Sequence, residues 1–457
     1  MTSRTLFGTV LLACAAGRLA AQQPAQPAAA PAAPAAPAAP AAAPATGAPR
    51  VTLQEALRLA LQAQPAMVQA RQNVRVAQWG TRTALGAFLP TVRTTASGSQ
   101  APSQRYNSAT GQYVTNPFPY SESYGLSASL NLFTGFQRGA NRRAAAATLD
   151  LREAAQLQQE YATALAAKQA FFAALADAEL VGVAETQVRR SNEQVKLTSE
   201  KLRLGATTRS DSLTAMVDLG NSQLQLIQAR ANLQYAQLNL GRIIGMDGAV
   251  APVPDSALET RLGPLDTAGL RRDALSAAPS VRQAEASLLA ARASLSAQRA
   301  QWMPTISASW SQNWSRSTST IADTVPWQSS WNLGITLSYP LFNGFQRERN
   351  IATADANVVT AQANVRDARL ALDASLTQAL AGLDAASQQT DIARASNAAA
   401  EENLRMQQER YRLGTSTIVD LLTAQTALNQ AQANLVSARY NYLVARAQIE
   451  ALVGHAL

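Results

Sequence analysis

The sequence predicts a mainly α-helical protein with transmembrane β-strands, assembled from a duplicated unit in which a strand hairpin feeds a very long helix. Two strand-to-helix switches, a constant offset between the halves of the chain and a heptad pattern in the returning helices carry that prediction. The clearest switch is Trp331-Asn332-Leu333-Gly334-Ile335-Thr336-Leu337-Ser338-Tyr339-Pro340-Leu341-Phe342-Asn343-Gly344-Phe345-Gln346-Arg347. Trp331, Leu333, Ile335, Leu337 and Tyr339 fall on one side and Asn332, Gly334, Thr336 and Ser338 on the other, as in a strand with one apolar and one small polar face. After Gly344 the alternation gives way to Ala-rich sequence with helical spacing and no further proline. The same change occurs at Tyr124-Gly125-Leu126-Ser127-Ala128-Ser129-Leu130-Asn131-Leu132-Phe133-Thr134-Gly135-Phe136-Gln137-Arg138.

Composition limits the chemistry. The 457 residues have room for two or three ordinary domains, and 47% are hydrophobic but only 5% aromatic. Ala-, Gln- and Arg-rich sequence of this kind favours long helices over a thick globular core. The formal charge of +9 comes from basic residues scattered singly. That pattern reads as a solvated basic surface and not as a nucleic-acid site. Cys14 is the only cysteine and His455 the only histidine, so neither a Cys/His metal site nor a Ser-His-Asp triad on an internal histidine can be built. No P-loop is present. The sequence therefore predicts no enzyme, no cofactor and no metal.

Residues 1–21 read as a secretory signal: Arg4 supplies the charge, Leu6 to Ala16 the apolar run and Leu19-Ala20-Ala21 a small-residue cleavage site. Leu11-Leu12-Ala13-Cys14 also resembles a lipobox with Cys14 as the acylated residue, although leucine two places before the cysteine is unusual. Ordinary cleavage is the favoured reading, and both imply export. Residues 22–50 are Pro/Ala repeats that neither form a helix nor pack, hence an extended linker.

A first structural repeat spans 51–250 and a second 265–457, joined by a connector at 251–264. Pro65 and Pro279 are 214 residues apart, as are Pro90 and Pro304; Gly135 and Gly344, Gly205 and Gly414, and Gly245 and Gly454 are 209 apart. A constant offset on either side of one five-residue indel marks a duplication and places the longer hairpin connection in the first copy. Each copy predicts a short helix (53–64; about 267–277), a longer one ending before Pro90 or Pro304, and two strands (about 91–103 and 121–133; 305–317 and 327–342). The first pair is joined by a polar loop containing Asn116-Pro117-Phe118-Pro119. A helix over about 137–204 or 346–413 follows, on the order of 100 Å long, and ends at Gly205 or Gly414. The returning helices carry heptads: Leu421, Leu428, Leu435, Tyr442 and Ile449 with Ala424, Ala431, Ala438, Ala445 and Leu452, and in the first copy Leu219, Leu226, Leu233 and Leu240. Large residues at one core position and mostly alanine at the other give close, left-handed packing.

Past the signal no apolar run is long enough for a transmembrane helix, so any integral contact with a bilayer falls to the strands. Tyr124, Leu126, Leu130, Ile306, Trp310, Trp331, Leu333, Ile335, Leu337 and Tyr339 would face lipid, and Tyr124, Trp310, Trp314, Trp331 and Tyr339 would form an interfacial girdle. Soluble sandwich strands also alternate, but here the polar face is Ser, Thr, Asn and Gly with few charges, which suits a wet lumen. Four strands do not close a transmembrane barrel, so several chains must share one: two would give about eight strands and three about twelve.

Three stretches resemble the TolC-like outer-membrane efflux family: Tyr339-Pro340-Leu341-Phe342-Asn343-Gly344, Tyr411-Arg412-Leu413-Gly414-Thr415-Ser416-Thr417-Ile418-Val419-Asp420-Leu421-Leu422, and Ser437-Ala438-Arg439-Tyr440-Asn441-Tyr442-Leu443. The resemblance runs from about Val51 onward. It implies a homotrimer with a 12-stranded β-barrel in outer-membrane lipid, continued by a periplasmic α-helical barrel. It also implies a periplasmic adaptor and an inner-membrane efflux pump or ABC exporter as partners. Asp211 and Asp420 are equivalent and would form acidic rings at the narrow end, favouring cations. In the family such residues line the constriction, and a tyrosine matching Tyr411 helps to hold it shut. Thr208-x-x-Asp211 and Thr417-x-x-Asp420 equally fit capping boxes, a reading slightly preferred and compatible with the first. Where some relatives carry a gate arginine this chain has Ser416, and where a second acidic ring would lie it has Thr423, so the gate is expected to be held differently. Arg203-Leu204-Gly205 and Arg412-Leu413-Gly414 resemble the tip motif that meets the adaptor; helix termination alone would also explain them. The resulting expectation is a passive trimeric exit duct, with a pore-free coiled-coil scaffold as the alternative.

Overall fold

A computed structural model describes residues 48–100, 103–116, 120–254, 269–272, 278–318 and 325–455. The signal at 1–21 with Cys14, the linker up to residue 47, Pro117-Phe118-Pro119 and connector residues 255–264 lie outside the described residues. So does the short helix expected at 267–277, apart from residues 269–272, which are helical.

Beginning at Arg50, β1 (Arg50–Val51) leads into α1 (Leu53–Ala63) and α2 (Pro65–Gly86). Strands β2 (Thr91–Gln100), β3 (Ser103–Asn107), β4 (Gln112–Asn116) and β5 (Tyr120–Thr134) follow. Helices α3 (Gln137–Arg203) and α4 (Arg209–Ile244) and strand β6 (Ala251–Pro252) complete the first copy. The second copy comprises α5 (Pro279–Arg299), β7 (Thr305–Thr318), β8 (Gln328–Ser338), α6 (Gln346–Arg412) and α7 (Ile418–Val453). The duplication is visible in the lengths: α3 and α6 both have 67 residues, and α4 and α7 both have 36.

Local chemistry sets the ends of these helices. Pro65 and Pro279 occupy first-turn positions, where a missing N–H costs nothing. Both long helices finish in Schellman motifs. Past α3, the N–H of Ala206 donates to the Lys201 carbonyl at 2.8 Å; past α6, that of Thr415 donates to the Arg410 carbonyl at 2.9 Å. Gly205 and Gly414 supply the left-handed residue at φ +72° and +77°. Leu204 and Leu413, which the sequence reading placed in the helices, are their C-caps.

Side by side the helices form a single layer. α3 packs on α4 and on α7, and α7 packs on α6; α2 lies on α3, and α5 lies between α3 and α6. The heptad seam is buried at Leu421, Leu428, Ile449, Ala424, Ala431 and Ala438, with Ala215, Ser222, Ala236 and Leu240 as its first-copy counterpart. Midway along, α1 closes over α3, where Phe171, Ala174 and Leu175 pack with Leu240, Ile244 and Tyr440. Tyr161 donates to the Gly454 carbonyl, and Lys168 pairs with Glu450, fastening the end of α7 to α3.

The four long strands form one antiparallel sheet in the order β2-β5-β7-β8. β5 and β7 join the two repeats, Tyr124 opposite Trp314 and Ala128 opposite Trp310, with a bulge at Leu132. Two sequence expectations change here. The strand expected to reach Ser103 stops at Gln100, and the connection read as a polar loop contains the hairpin β3–β4, turned at Gly111 (φ +67°) and closed by an edge-to-face Tyr106–Tyr113 pair. The strand expected to reach Phe342 ends at Ser338, because Pro340 offers no N–H for a ladder and constrains Tyr339 before it.

Candidate functional site

The sheet separates its residues as the alternation requires. Register places Val92, Ala96, Tyr124, Leu126, Ala128, Leu130, Ile306, Ala308, Trp310, Trp314, Trp331, Leu333, Ile335 and Leu337 on one face. The opposite face carries Ser97, Ser121, Ser123, Ser127, Ser309, Ser311, Asn313, Ser330 and Asn332. On the apolar face Trp331 and Ile335 are 71% and 72% exposed, an arrangement that is favourable only against lipid or another apolar surface.

The aromatic girdle differs from the expected one. At the upper end Tyr124 stacks on Trp314 (4.9 Å) and meets Trp327 edge-on, beside the Glu122–Arg316 ion pair. Trp310 sits in the middle of β7 and does not join them, because its neighbours in register are Ala128 and Leu333. Tyr339 lies just past β8, at the lower end. There Phe133–Phe136 and Phe342–Phe345 form two equivalent edge-to-face pairs, unassigned in the sequence reading. From Ile306 to Trp314 a strand runs about 27 Å, which at a tilt of about 35–45° covers roughly 19–22 Å of an apolar band about 25 Å tall in an outer-membrane barrel.

Each strand-to-helix junction is clasped by an arginine. Arg138 lies over the Phe88 ring at 4.8 Å and donates to the carbonyls of Leu132 and Ala87. Arg347, the equivalent residue, is buried over Trp302 at 3.4 Å and pairs with Glu348. The shared Gly-Phe-Gln-Arg of the two switches was the available signal.

At the far end of the long helices the tip turns are built alike. Asp211 accepts from the Thr207 hydroxyl (2.7 Å) and the Thr208 N–H (3.2 Å); Asp420 accepts from the Thr417 hydroxyl (2.7 Å), the Thr417 N–H (3.0 Å) and Ser416 (3.2 Å). Thr208 and Thr417 accept in return from the backbone N–H groups of Asp211 and Asp420, so both capping boxes are complete. Those hydrogen bonds, from Thr207 foremost at Asp211 and from Thr417 foremost at Asp420, hold both carboxyls below their ordinary value of 3.8. A depressed carboxylate stabilises fully above its unfolded pKa and is lost only as pH falls through the lowered one. The tip is therefore expected to show unchanged amide protection between pH 7 and 5 by hydrogen exchange. Thr417→Ala removes the cap and should raise local opening of the turn roughly fivefold in the same measurement.

The remaining tip residues are also placed. Ser416 shares its one hydroxyl proton between Gln407 (3.0 Å) and Asp420, tightening its own turn, while Thr423 donates back to the Val419 carbonyl. Tyr411 is buried with Leu404, Ile418, Leu421 and Ala215, so its ring packs inside its own subunit. The Lys201 ammonium sits 4.1 Å from that ring and donates to the Tyr411 carbonyl at 2.9 Å. The Tyr411 hydroxyl points toward Thr207 and Gln194 without completing a hydrogen bond, and burial pushes its pKa up. Arg203 and Arg412 pair with Glu200 and Glu409 one turn back, which leaves Leu204 and Leu413 at the apex, 72% and 68% exposed.

An amphipathic sheet with two unpaired edges, continued by helices on the order of 100 Å long, defines a subunit of an outer-membrane channel that reaches into the periplasm. Comparison with known proteins agrees. Residues 56–246 and 270–455 match the family described as outer membrane efflux protein. Protein CyaE of Bordetella pertussis is 29% identical over 434 residues, covering 89% of this chain and 83% of that protein. The pyoverdine export outer membrane protein OpmQ of Pseudomonas aeruginosa is 26% identical over 420 residues, with 90% and 85% covered. Among solved structures, the Campylobacter jejuni CmeC outer membrane channel superposes with a TM-score of 0.74 at 18% identity, over 88% of this chain and 85% of that one. The open state of the Neisseria gonorrhoeae MtrE outer membrane channel gives 0.70 at 20% identity, with 89% of each chain covered. The chain belongs to the outer membrane efflux protein family: it is the outer-membrane channel component of an efflux or type I secretion system. The pore-free scaffold reading is thereby set aside.

Proposed function

We propose that three copies of this chain close a single twelve-stranded barrel, β2 of one pairing with β8 of the next, and that the helical layers close a tube beneath it. The single observation that carries this reading is the amphipathic sheet with its two free edges, β2 and β8. Left unpaired in lipid, each backbone group on those edges would cost several kcal/mol. Supporting it, the outer helices of the layer expose apolar residues: Val217, Leu224, Ile227 and Tyr235 on α4, Val359, Leu370 and Ile392 on α6. The signal at 1–21 delivers the chain across the inner membrane; cleavage at the lipobox instead would make Cys14 the acylated residue.

The tip forms the gate and the docking point. Asp211 and Asp420, ionised at neutral pH, line its constriction with six carboxylates per trimer, and Ser416 and Thr423 leave it without an arginine latch. Arg203-Leu204-Gly205 and Arg412-Leu413-Gly414 meet a periplasmic adaptor, and an inner-membrane pump or ABC exporter drives the cargo. The lipid-facing strand residues are Tyr124, Leu126, Leu130, Ile306, Trp310, Trp331, Leu333, Ile335 and Leu337 of the apolar face, with Tyr339 just past β8.

Detergent extraction tests the assembly. The mature protein should require detergent and run as a heat-modifiable trimer that conducts ions in planar bilayers; a water-soluble, non-conducting monomer would sink the reading. Tyr411→Phe tests the gate. Its hydroxyl is buried within the subunit and has no hydrogen-bond partner among the described residues, so the variant should keep wild-type leak conductance; a raised leak would show that the hydroxyl itself latches the gate.

A further inference from the structure

The four long strands contain only three charged residues, Arg93, Glu122 and Arg316. Glu122 and Arg316 face each other in register on the apolar side and neutralise one another at the upper rim. Arg93 stands on the opposite, small polar face, directly across from Ser127, which is in turn across from Ser311. Its guanidinium has no hydrogen-bond or ion-pair partner among the described residues, and the side chain is exposed. Thr91, Thr95, Ser97 and Ser99 flank it along β2. Across the seam proposed above, the neighbouring β8 would offer Ser330, Asn332, Thr336 and Ser338, again without a carboxylate.

We propose that Arg93 makes the base of the barrel lumen an anion-attracting ring of three guanidinium groups, a second selectivity element that favours anionic or acid-bearing cargo after the acidic tip. The inference rests on the trimeric-pore reading. Arg93 lies two residues above the start of β2 at Thr91, so it sits where the helical tube opens into the barrel. A fixed charge there acts over about one Debye length, roughly 8 Å at physiological salt, so its influence should be marked at low ionic strength and vanish near 1 M.

The test uses purified full-length trimer in planar bilayers at low salt, with inositol hexakisphosphate added from the extracellular side. Wild-type channels should show voltage-dependent block that disappears in 1 M KCl. Arg93→Gln should raise the half-blocking concentration by about tenfold or more, and Arg93→Lys should retain the block. Should Arg93→Gln assemble poorly, Ser127→Asp places a carboxylate opposite Arg93 and should abolish the block with the arginine in place. Block that persists at wild-type strength in both Arg93→Gln and Ser127→Asp overturns the proposal while leaving the pore intact. A wild-type protein that neither trimerises nor conducts overturns the pore reading itself.

Discussion

Gly135→Ala is expected to deplete the outer-membrane trimer, whereas the equivalent Gly344→Ala is expected to be tolerated. Both glycines begin the strand-to-helix turn in left-handed conformation, at φ +58° and +65°, and each is followed by a left-handed phenylalanine, Phe136 or Phe345. A Cβ at such a φ costs about 1–2 kcal/mol. The surroundings then separate the two. At Gly135 the new methyl lands on the Cβ of Met303 and 2.8 Å from the Ala300 carbonyl oxygen, so the turn of the first repeat is wedged against the link into β7 of the second. Gly344 faces open space. Adding an overpacking term brings Gly135→Ala to about 2–5 kcal/mol. Trimer yield on unheated gels and the temperature of trimer dissociation would measure both variants. Equal behaviour, or the reverse order, would show that the contact between the repeats at this junction does not hold the barrel base.

That asymmetry also shows which features were legible in the sequence. Helix ends were, since glycine past the last turn, proline in the first and Thr-x-x-Asp act through the local backbone. The identical 67-residue lengths of α3 and α6 follow from glycines spaced equally in both copies. The two sheet faces were legible for the same reason: period-two alternation needs no knowledge of distant residues. What failed to show depends on contacts between segments. The β3–β4 hairpin is polar on both sides and reads as loop, its only signals being Gly111 and the two tyrosines. The Arg138–Phe88 and Arg347–Trp302 clasps pair residues on opposite sides of the indel, where the offset is 209 for the arginines and 214 for the aromatics. Tyr411 matches Leu202 in the first copy. No periodicity foretells that it packs inside its own subunit beneath Lys201.

The second large effect is expected at the apex. Leu204→Gln combined with Leu413→Gln should abolish efflux or secretion while leaving trimer, conductance and melting temperature near wild type. Both leucines are C-caps whose N–H groups donate to Glu200 and Glu409 carbonyls, bonds that glutamine preserves. Glutamine is also uncharged, so it adds no repulsion at the negative end of the helix dipole. Neither leucine belongs to the buried tip cluster around Ile418 and Leu421, so little internal packing is lost. If they are the apolar anchors for an adaptor, each forfeits about 1.5–3 kcal/mol of burial. For the pair that weakens binding by on the order of 100-fold or more. Arg203 and Arg412, already paired with Glu200 and Glu409, should matter less, because exposed ion pairs contribute little. Substrate susceptibility in cells and adaptor pull-down would read the effect together. Full efflux in the double variant would move the docking surface away from the apex and onto the flanks of the helical layer.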